Sequence, residues 1–148
     1  MKSIKVLTAV LFSALFMIPA GCGKYEDGPW FSIYSRDERI TGYWRFAGVR
    51  IDGEDKTDEY AEQSVEILRN GQISWTQGYH NDNPYDRYGV GGTWQFKNSD
   101  KNLEMSFTEG TTDDFTWLWN ITRLAYGDLR INRYDDQGRK IEWRLWSR

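Results

Sequence analysis

The chain has 148 residues with 19 basic and 22 acidic side chains, a net charge of −3, one cysteine and one histidine. This length suits a single domain behind a leader, and the acidic balance gives no electrostatic footprint for nucleic acid. A lone cysteine excludes an internal disulfide, and one histidine without clustered cysteines predicts no transition-metal site. We therefore expect no metal, no cofactor and no nucleic-acid partner.

The first 21 residues have the pattern of a secretory signal peptide. Lys2 and Lys5 precede an apolar run from Val6 to Ile18, and small residues lead to Cys22. The run is shorter than the about 20 apolar residues that a spanning helix needs. Its ending resembles the bacterial lipobox, in which the cysteine is diacylated and becomes the mature N-terminus. Pro19 stands where the lipobox usually has leucine.

Acylation of Cys22 predicts a domain that is tethered to a bilayer surface, because more than one acyl chain gives stable anchoring. The alternative is ordinary cleavage near Ala20, which leaves a free thiol. Residues 22–41 are predicted to be a linker that ends in a short helical turn, since Ser35 and Glu38 fit a capping box. We expect an exported protein that is lipid-anchored to the bacterial cell envelope, at the outer membrane.

Apolar positions alternate with polar ones from residue 42 onward, and this pattern predicts strands. Eight tryptophans and nine tyrosines also favour strands over helices. The predicted strands are 42–51, 64–69, 72–77, 92–97, 102–108, 115–124, 128–134 and 139–147. Such alternation gives one buried and one wet face, and eight antiparallel strands lose their exposed edges by closing. The predicted fold is all-β, a single eight-stranded antiparallel up-and-down barrel over residues 42–148.

Local signals predict the connections between these strands. A phase slip at Ala47-Gly48 predicts a bulge, and Asp52-Gly53 and Asn70-Gly71 predict tight turns. Residues 54–63 are predicted to be a loop or a short lid, and 109–114 another turn. The paired aspartates in the predicted turns are interpreted as turn residues rather than as an acid/base pair.

The opening of the first strand resembles a known family. Gly42-x-Trp44, after a short helical turn and before eight strands, looks like a lipocalin-like barrel. Residues 24–29 (KYEDGP), followed by Ser35-Arg36, are similar to the lipocalin-like lipoproteins of Bacteroides-type bacteria. The resemblance implies a ligand cavity that is open at one end. It also implies a late arginine over Trp44, for which Arg144 and Arg148 are the candidates.

Tryptophans are predicted to occupy much of the barrel lumen. The inward-facing set is Trp44, Trp75, Trp94, Trp117, Trp119 and Trp143. Because each aromatic side chain buries about 150–250 Å², we expect a largely filled interior. A small pocket or a rim site then fits better than a deep lipid-binding cup. The alternative is that these tryptophans are core residues and bind nothing.

The stretch from Gly78 to Gly91 is predicted to be a long loop and the best candidate for a binding site. It mixes tyrosines with asparagine and aspartate, as adaptable recognition surfaces do. Its flat aromatic faces beside amide and carboxylate groups would also suit a sugar. The predicted ligand-binding residues are Tyr79, His80, Tyr85, Tyr88, Trp75 and Trp94. The alternative is a hairpin loop without a ligand.

No arrangement of nucleophile, histidine and acid in the sequence predicts an enzyme. Two functions remain. The first is a lipid-anchored module that binds a small apolar or carbohydrate-like ligand at the barrel mouth. The second is a filled-barrel module for protein interaction or envelope assembly, with an envelope protein as its partner and no small-molecule ligand.

Overall fold

The structure is a computed structural model, and it describes residues 25–26, 32–79, 87–109 and 113–147. The predicted signal segment and Cys22 lie outside this part of the chain. His80 and Tyr85 of the predicted site also lie outside it, and so does the side chain of Tyr79.

One closed antiparallel sheet makes up most of the described chain. The elements in chain order are α1 (Arg36–Ile40), β1 (Gly42–Ile51), β2 (Glu54–Asp55), a 3₁₀ helix (Thr57–Tyr60), β3 (Ser64–Ile67), β4 (Gln72–Tyr79), β5 (Arg87–Lys97), β6 (Asn102–Glu109), β7 (Asp113–Ala125), β8 (Asp128–Tyr134) and β9 (Lys140–Trp146). The two-residue β2 pairs only with the end of β1. The other eight strands pair in chain order from β1 with β3 to β8 with β9, and the pairing of β1 with β9 closes the sheet. The prediction of an all-β, closed eight-stranded barrel is confirmed.

Alternation along the strands builds the core, as the sequence pattern predicts. Leu103, Met105 and Phe107 of β6 are all fully buried, whereas the residues between them are partly exposed. Val65 and Ile67 of β3 are likewise fully buried. Since successive side chains of a strand point to opposite faces, every second residue enters the lumen. In the described part of the chain, no helix is long and apolar enough to cross a bilayer.

Helix α1 covers one end of the barrel. The predicted capping box is present, with the Glu38 amide donating to Ser35 Oγ (3.2 Å) and the Ser35 amide donating to Glu38 Oε2 (2.8 Å). Ile40 is fully buried, and its carbonyl accepts from Trp44 Nε1 at 2.8 Å. Arg39 of α1 donates to the carbonyl of Leu124 at 2.7 Å. The helix therefore plugs this end through both apolar and polar contacts.

One of the two arginines expected to cover Trp44 is not where the resemblance implies, and the other is not described. Arg144 is exposed, because β9 places it on the outer face between the buried residues Trp143 and Leu145. Arg148 lies outside the described residues. The arginine that reaches across this end is Arg39, from the helix that precedes the barrel.

Several predicted connections are confirmed. The β1–β9 register shifts between Phe46 and Gly48, which is the predicted bulge. Asp52 and Gly53 have φ values of 52° and 81°, as a tight hairpin turn requires, and Gly71 has a φ of 86°. The acidic segment after β1 folds into β2 and the 3₁₀ helix rather than remaining an irregular loop.

The predicted loop from Gly78 to Gly91 is wrong at both ends. Strand β4 continues to Tyr79 and β5 begins at Arg87, with Gly78 paired to Tyr88 and Thr76 to Gly89. Glycine is a weak strand former, so this stretch looks like a loop in the sequence. Its glycines instead permit close approach, since a Cβ at Gly89 would stand 2.9 Å from Thr76 Cα.

The turn predicted for residues 109–114 is shorter than expected. Glu109 still belongs to β6, and Asp113 and Asp114 open β7, where they pair with Glu109 and Thr108. The reason is that pairing of β6 with β7 continues past the last apolar pair, Phe107 with Phe115. The ladder of backbone hydrogen bonds extends these strands without any apolar side chain to mark them.

Candidate functional site at the barrel mouth

The two ends of the barrel differ in the elements that cover them. At the helix end, Arg36 of α1 forms an ion pair with Asp100 in the β5–β6 turn. The opposite end carries the 3₁₀ helix and the β8–β9 turn. There Asp52 donates its amide to the Lys140 carbonyl at 2.8 Å and accepts from the Lys140 amide at 2.9 Å. We call this second end the mouth.

Aromatic rings and one arginine fill the lumen beneath the mouth. We call this set the mouth cluster: Tyr60, Trp75, Trp117, Trp119, Trp143 and Arg133. The Trp143 ring is central, with its centroid 4.3 Å from that of Trp119, 5.7 Å from that of Trp75 and 5.9 Å from that of Trp117. Rings at such separations are in direct contact, so this part of the lumen is filled by side chains.

The predicted inward orientation of the six tryptophans is consistent with their burial. Trp44, Trp75, Trp119 and Trp143 are buried. Trp94 and Trp117 are partly buried and pack against the same core. The packed rings agree with the expectation of a largely filled interior around Trp143.

Arg133 is the one charged member of the mouth cluster. It follows Leu129 and Ile131 at the alternate positions of β8, both of which are buried, so it shares their inward face. Its guanidinium carbon lies 4.5 Å from the Trp117 ring centroid and 5.2 Å from that of Trp119. These are cation–π distances.

Burial weakens the solvation of this guanidinium. Desolvation lowers the pKa of Arg133 from its ordinary value, while the carboxylates of Asp135 and Asp136 act in the opposite direction. The Asp135 carboxylate accepts from Arg139 Nε at 2.8 Å and from two backbone amides at 2.9 Å. The described residues include no ion pair between Arg133 and either carboxylate. Arginine nevertheless stays charged, because its ordinary pKa lies far above neutral pH.

Buried donors without an acceptor concentrate in the mouth cluster. Among the described residues, Arg133 Nε, Trp119 Nε1 and Trp143 Nε1 are buried and have no hydrogen-bond partner. Trp75 differs, because its Nε1 donates to Gln63 Oε1 at 3.0 Å. Buried polar groups are normally paired, so three unpaired donors on side chains in contact form an unusual local arrangement.

A lateral opening leads to Arg133 from outside. The pairing of β7 with β8 ends at Asn120 and Asn132, and beyond this pair the two strands are not paired with each other, although β7 still pairs with β6 and β8 with β9. Here lies a depression of about 330 Å³, lined by residues 115–118 and 133–136. Phe115 and Trp117 are only partly buried, so aromatic surface continues from the lumen to this opening.

The structure separates the predicted ligand-binding residues. Trp75 belongs to the mouth cluster, and Tyr88 is 44% exposed at the same end, where its ring lies over Gly78. Trp94 instead lies towards the helix end, with its Nε1 donating to the Leu68 carbonyl at 2.8 Å. Its ring packs edge-on against Phe96, which lies beneath the Arg36 guanidinium.

Sequence reasoning missed Arg133 and Tyr60. A signal for Arg133 is present in the sequence, since Leu129 and Ile131 alternate along the predicted strand 128–134 and the same period of two reaches residue 133. Tyr60 gave no comparable signal, because the 3₁₀ helix that carries it has no apolar periodicity. It joins the site through its ring, with its centroid 5.2 Å from that of Phe46.

A larger depression of about 530 Å³ lies beside the β1 bulge and is lined largely by polar side chains of the outer face. Several of these side chains already satisfy one another, as Lys140 Nζ does with Glu142 Oε1 at 2.7 Å and Asp55 does with Thr57. No group of histidine, cysteine and acidic side chains in the described chain can hold a metal ion. The mouth, with its unpaired donors, is therefore the stronger candidate site.

Comparisons with known proteins agree with the barrel. A lipocalin-like protein from Bacteroides uniformis matches with a TM-score of 0.56 and 11% identity, over 74% of this chain and 99% of that chain. An uncharacterized protein from Bacteroides eggerthii matches with a TM-score of 0.53 and 11% identity, over 72% and 98%. No family model and no curated protein matches the sequence. At this identity the likeness establishes the fold alone, which is a lipocalin-like barrel.

Proposed function

We propose that this protein is a lipid-anchored envelope lipoprotein whose barrel binds a small ligand at its mouth. The ligand has a flat apolar or carbohydrate-like body. The observation that carries the proposal is the continuous aromatic surface from Trp143 in the lumen to the partly buried Trp117 at the lateral opening. Small-ligand sites in proteins are concave and combine apolar surface with a few placed polar groups, and this opening sets Phe115, Trp117 and Leu118 beside polar side chains.

The filled lumen limits the ligand to the rim. Indole rings in mutual contact occupy the space that an open barrel would offer to a long chain. A ligand therefore lies against Trp117 and Phe115 rather than deep in the barrel. Their exposed faces can stack on an aromatic ring or on the apolar face of a sugar.

Tryptophan fluorescence tests the binding proposal directly. A panel of aromatic acids, short fatty acids and monosaccharides is titrated into the protein, and at least one class is expected to shift the emission. Trp117→Phe should remove most of that shift. Trp146→Phe is the matched control, because Trp146 lies on the outer face of β9 near the helix end. A response that persists in Trp117→Phe and vanishes in Trp146→Phe would refute this location.

The lipid anchor is tested separately. Acylation at Cys22 would attach two or more chains, each buried methylene contributing about 0.8 kcal/mol to membrane binding. Cys22→Ala should therefore move the protein from the membrane fraction to the soluble fraction. Unchanged partitioning of Cys22→Ala would contradict lipid anchoring and would leave the binding proposal untouched.

A second function is favoured by the same ring packing. A barrel that is filled by its own side chains can act as a module for protein interaction or envelope assembly. Leu118 and Tyr134, which line the lateral opening, are 49% and 67% exposed and offer apolar contact area. A flat fluorescence response across the panel, with specific capture of one envelope protein, would favour this function.

A further inference from the structure

The lateral opening exposes more than aromatic surface, because Arg133 stands at its floor. An arginine beside buried Ile131 is an expensive choice for a barrel interior, where an apolar residue of similar length would pack without unpaired donors. Its nearest described contacts are two indole rings and a marginal bond from Nη1 to the Tyr134 carbonyl at 3.4 Å. The position of the poorly solvated Arg133 guanidinium at this opening is therefore not explained by packing alone.

The unpaired donors specify the complementary group. Of these donors only Arg133 lines the opening, and a guanidinium donates without accepting, so a ligand there must supply acceptor atoms. An ionised carboxylate supplies two acceptor oxygens with about four lone-pair sites and is the usual bidentate partner of a guanidinium. A neutral hydroxyl or amide ligand would contact the guanidinium without the charge-assisted bond that a carboxylate forms.

The charges at the rim limit how negative the ligand is. Asp135 and Asp136 line the same opening as Arg133 and face any anion that enters. The attraction of the Arg133 guanidinium can offset the repulsion of these two carboxylates for a ligand with a single negative charge. The same repulsion weighs against a doubly charged group such as a phosphate monoester, since like charges in proximity are unfavourable.

We propose that Arg133 forms a carboxylate subsite and that the ligand is a small monocarboxylic acid with a flat apolar body. The acid group lies against the guanidinium, and the apolar body lies against Trp117 and Phe115 in the opening of about 330 Å³. This inference rests on the proposed mouth site and names the class of molecule that it takes. The cation–π stacking of Arg133 then holds its planar fork in place for a bidentate contact.

Calorimetric titration of the whole protein tests the inference with three probes that share a phenyl ring and differ in the polar group. They are 3-phenylpropionate, its neutral amide 3-phenylpropanamide, and phenyl phosphate. We expect the acid to bind about 10- to 100-fold more tightly than the amide, as a charge-assisted bond to a poorly solvated guanidinium provides. We expect phenyl phosphate to bind more weakly than the acid. Tighter binding of the phosphate would overturn the monocarboxylate class.

Variants assign the preference to Arg133. Arg133→Gln should remove the difference between acid and amide, and Arg133→Lys, which keeps the charge but loses the fork, should retain only part of it. Arg144→Gln is the matched control, because Arg144 is exposed on the outer face of the neighbouring strand β9. Its affinity for the acid should equal that of the unaltered protein. An unchanged acid preference in Arg133→Gln would overturn the inference.

The outcomes separate this inference from the function on which it rests. Equal binding of acid and amide would overturn the carboxylate subsite and leave an apolar mouth site standing. No binding of any of the three probes would overturn the carboxylate subsite, and the mouth site would fall as well if the fluorescence panel with its monosaccharides also gave no shift. Comparison of the probes in the unaltered protein needs no variant, so a folding defect in Arg133→Gln cannot obscure the result.

Discussion

Two neighbouring glycines of β5 are expected to respond very differently to alanine. A Cβ added at Gly92 would stand 2.8 Å from the carbonyl carbon of Ser106 and 2.9 Å from Phe107 Cα, both in the backbone of β6. A Cβ added at Gly91 meets nothing within 4 Å. The two substitutions share chemistry, strand and sequence context, so each is the control for the other.

The magnitude follows from the backbone that must move. Ordinary contacts begin at 3.4 Å, so β5 and β6 must separate by at least about half an ångström at this point. Two or three ladder hydrogen bonds are then weakened, each contributing about 1 kcal/mol net. We expect Gly92→Ala to lower the free energy of unfolding by about 2–4 kcal/mol. Gly91→Ala should change it by less than about 1 kcal/mol, with a small gain from the stiffer unfolded chain.

Urea denaturation followed by tryptophan fluorescence gives both free energies of unfolding. At about 3–5 °C per kcal/mol, Gly92→Ala should also melt about 6–20 °C below Gly91→Ala. Equal unfolding free energies, within about 0.5 kcal/mol, would refute the close approach of β5 to β6. If β5 instead approached β6 most closely at Gly91, the two unfolding free energies would be reversed, with Gly91→Ala the less stable protein.

The remaining predictions concern the helix end and the mouth. Trp44→Phe removes the buried bond to the Ile40 carbonyl and should cost about 2–3 kcal/mol in urea denaturation, while no loss would contradict that bond. Ser35→Ala removes the N-cap and should cost about 1 kcal/mol, or about 3–5 °C in melting temperature. Hydrogen bonds from the Ser35 backbone and side chain lower the pKa of Glu38 below its usual 4.5. The Glu38 charge therefore stabilises the fold above about pH 4.5 and ceases to do so as the pH falls through the lowered pKa. Glu38→Gln should accordingly destabilise at pH 7, and the difference should shrink as the pH falls through the lowered pKa. Arg133→Met should raise the unfolding free energy by about 1 kcal/mol, because it removes an unpaired buried donor, and lower stability would show that the cation–π contacts outweigh that donor.

The fold could be predicted because short-range signals and periodicity agree along most of the chain. The alternation of Leu103, Met105 and Phe107 sets the buried face of β6, and the capping box at Ser35 sets the start of α1. Gly71 occupies the left-handed region in the hairpin turn that Asn70-Gly71 predicts. These features depend on residues that are close together in sequence, where local physical rules apply.

The site was harder to predict because it depends on which distant residues meet. Trp94 and Trp75 both face inward by the alternation of their strands, yet they lie towards opposite ends of the barrel. Alternation determines the face of the sheet on which a side chain lies, but not its position along the barrel axis. Glycines made residues 78–91 look like a loop, although Gly89 and Gly92 serve the approach of neighbouring strands. Arg133 faces inward by the same alternation, but a charged residue is not expected inside a lumen without knowledge of the rings that receive it.

Nitrogen-edited NMR of the Arg133 Nε–Hε group tests the central claim most directly. The signal is assigned by its loss in Arg133→Lys, and it is followed as 3-phenylpropionate or 3-phenylpropanamide is added. The unpaired guanidinium at the mouth predicts a large downfield shift of this proton with the acid and little change with the amide. Saturation of the tryptophan fluorescence by the acid without movement of this signal would contradict the claim.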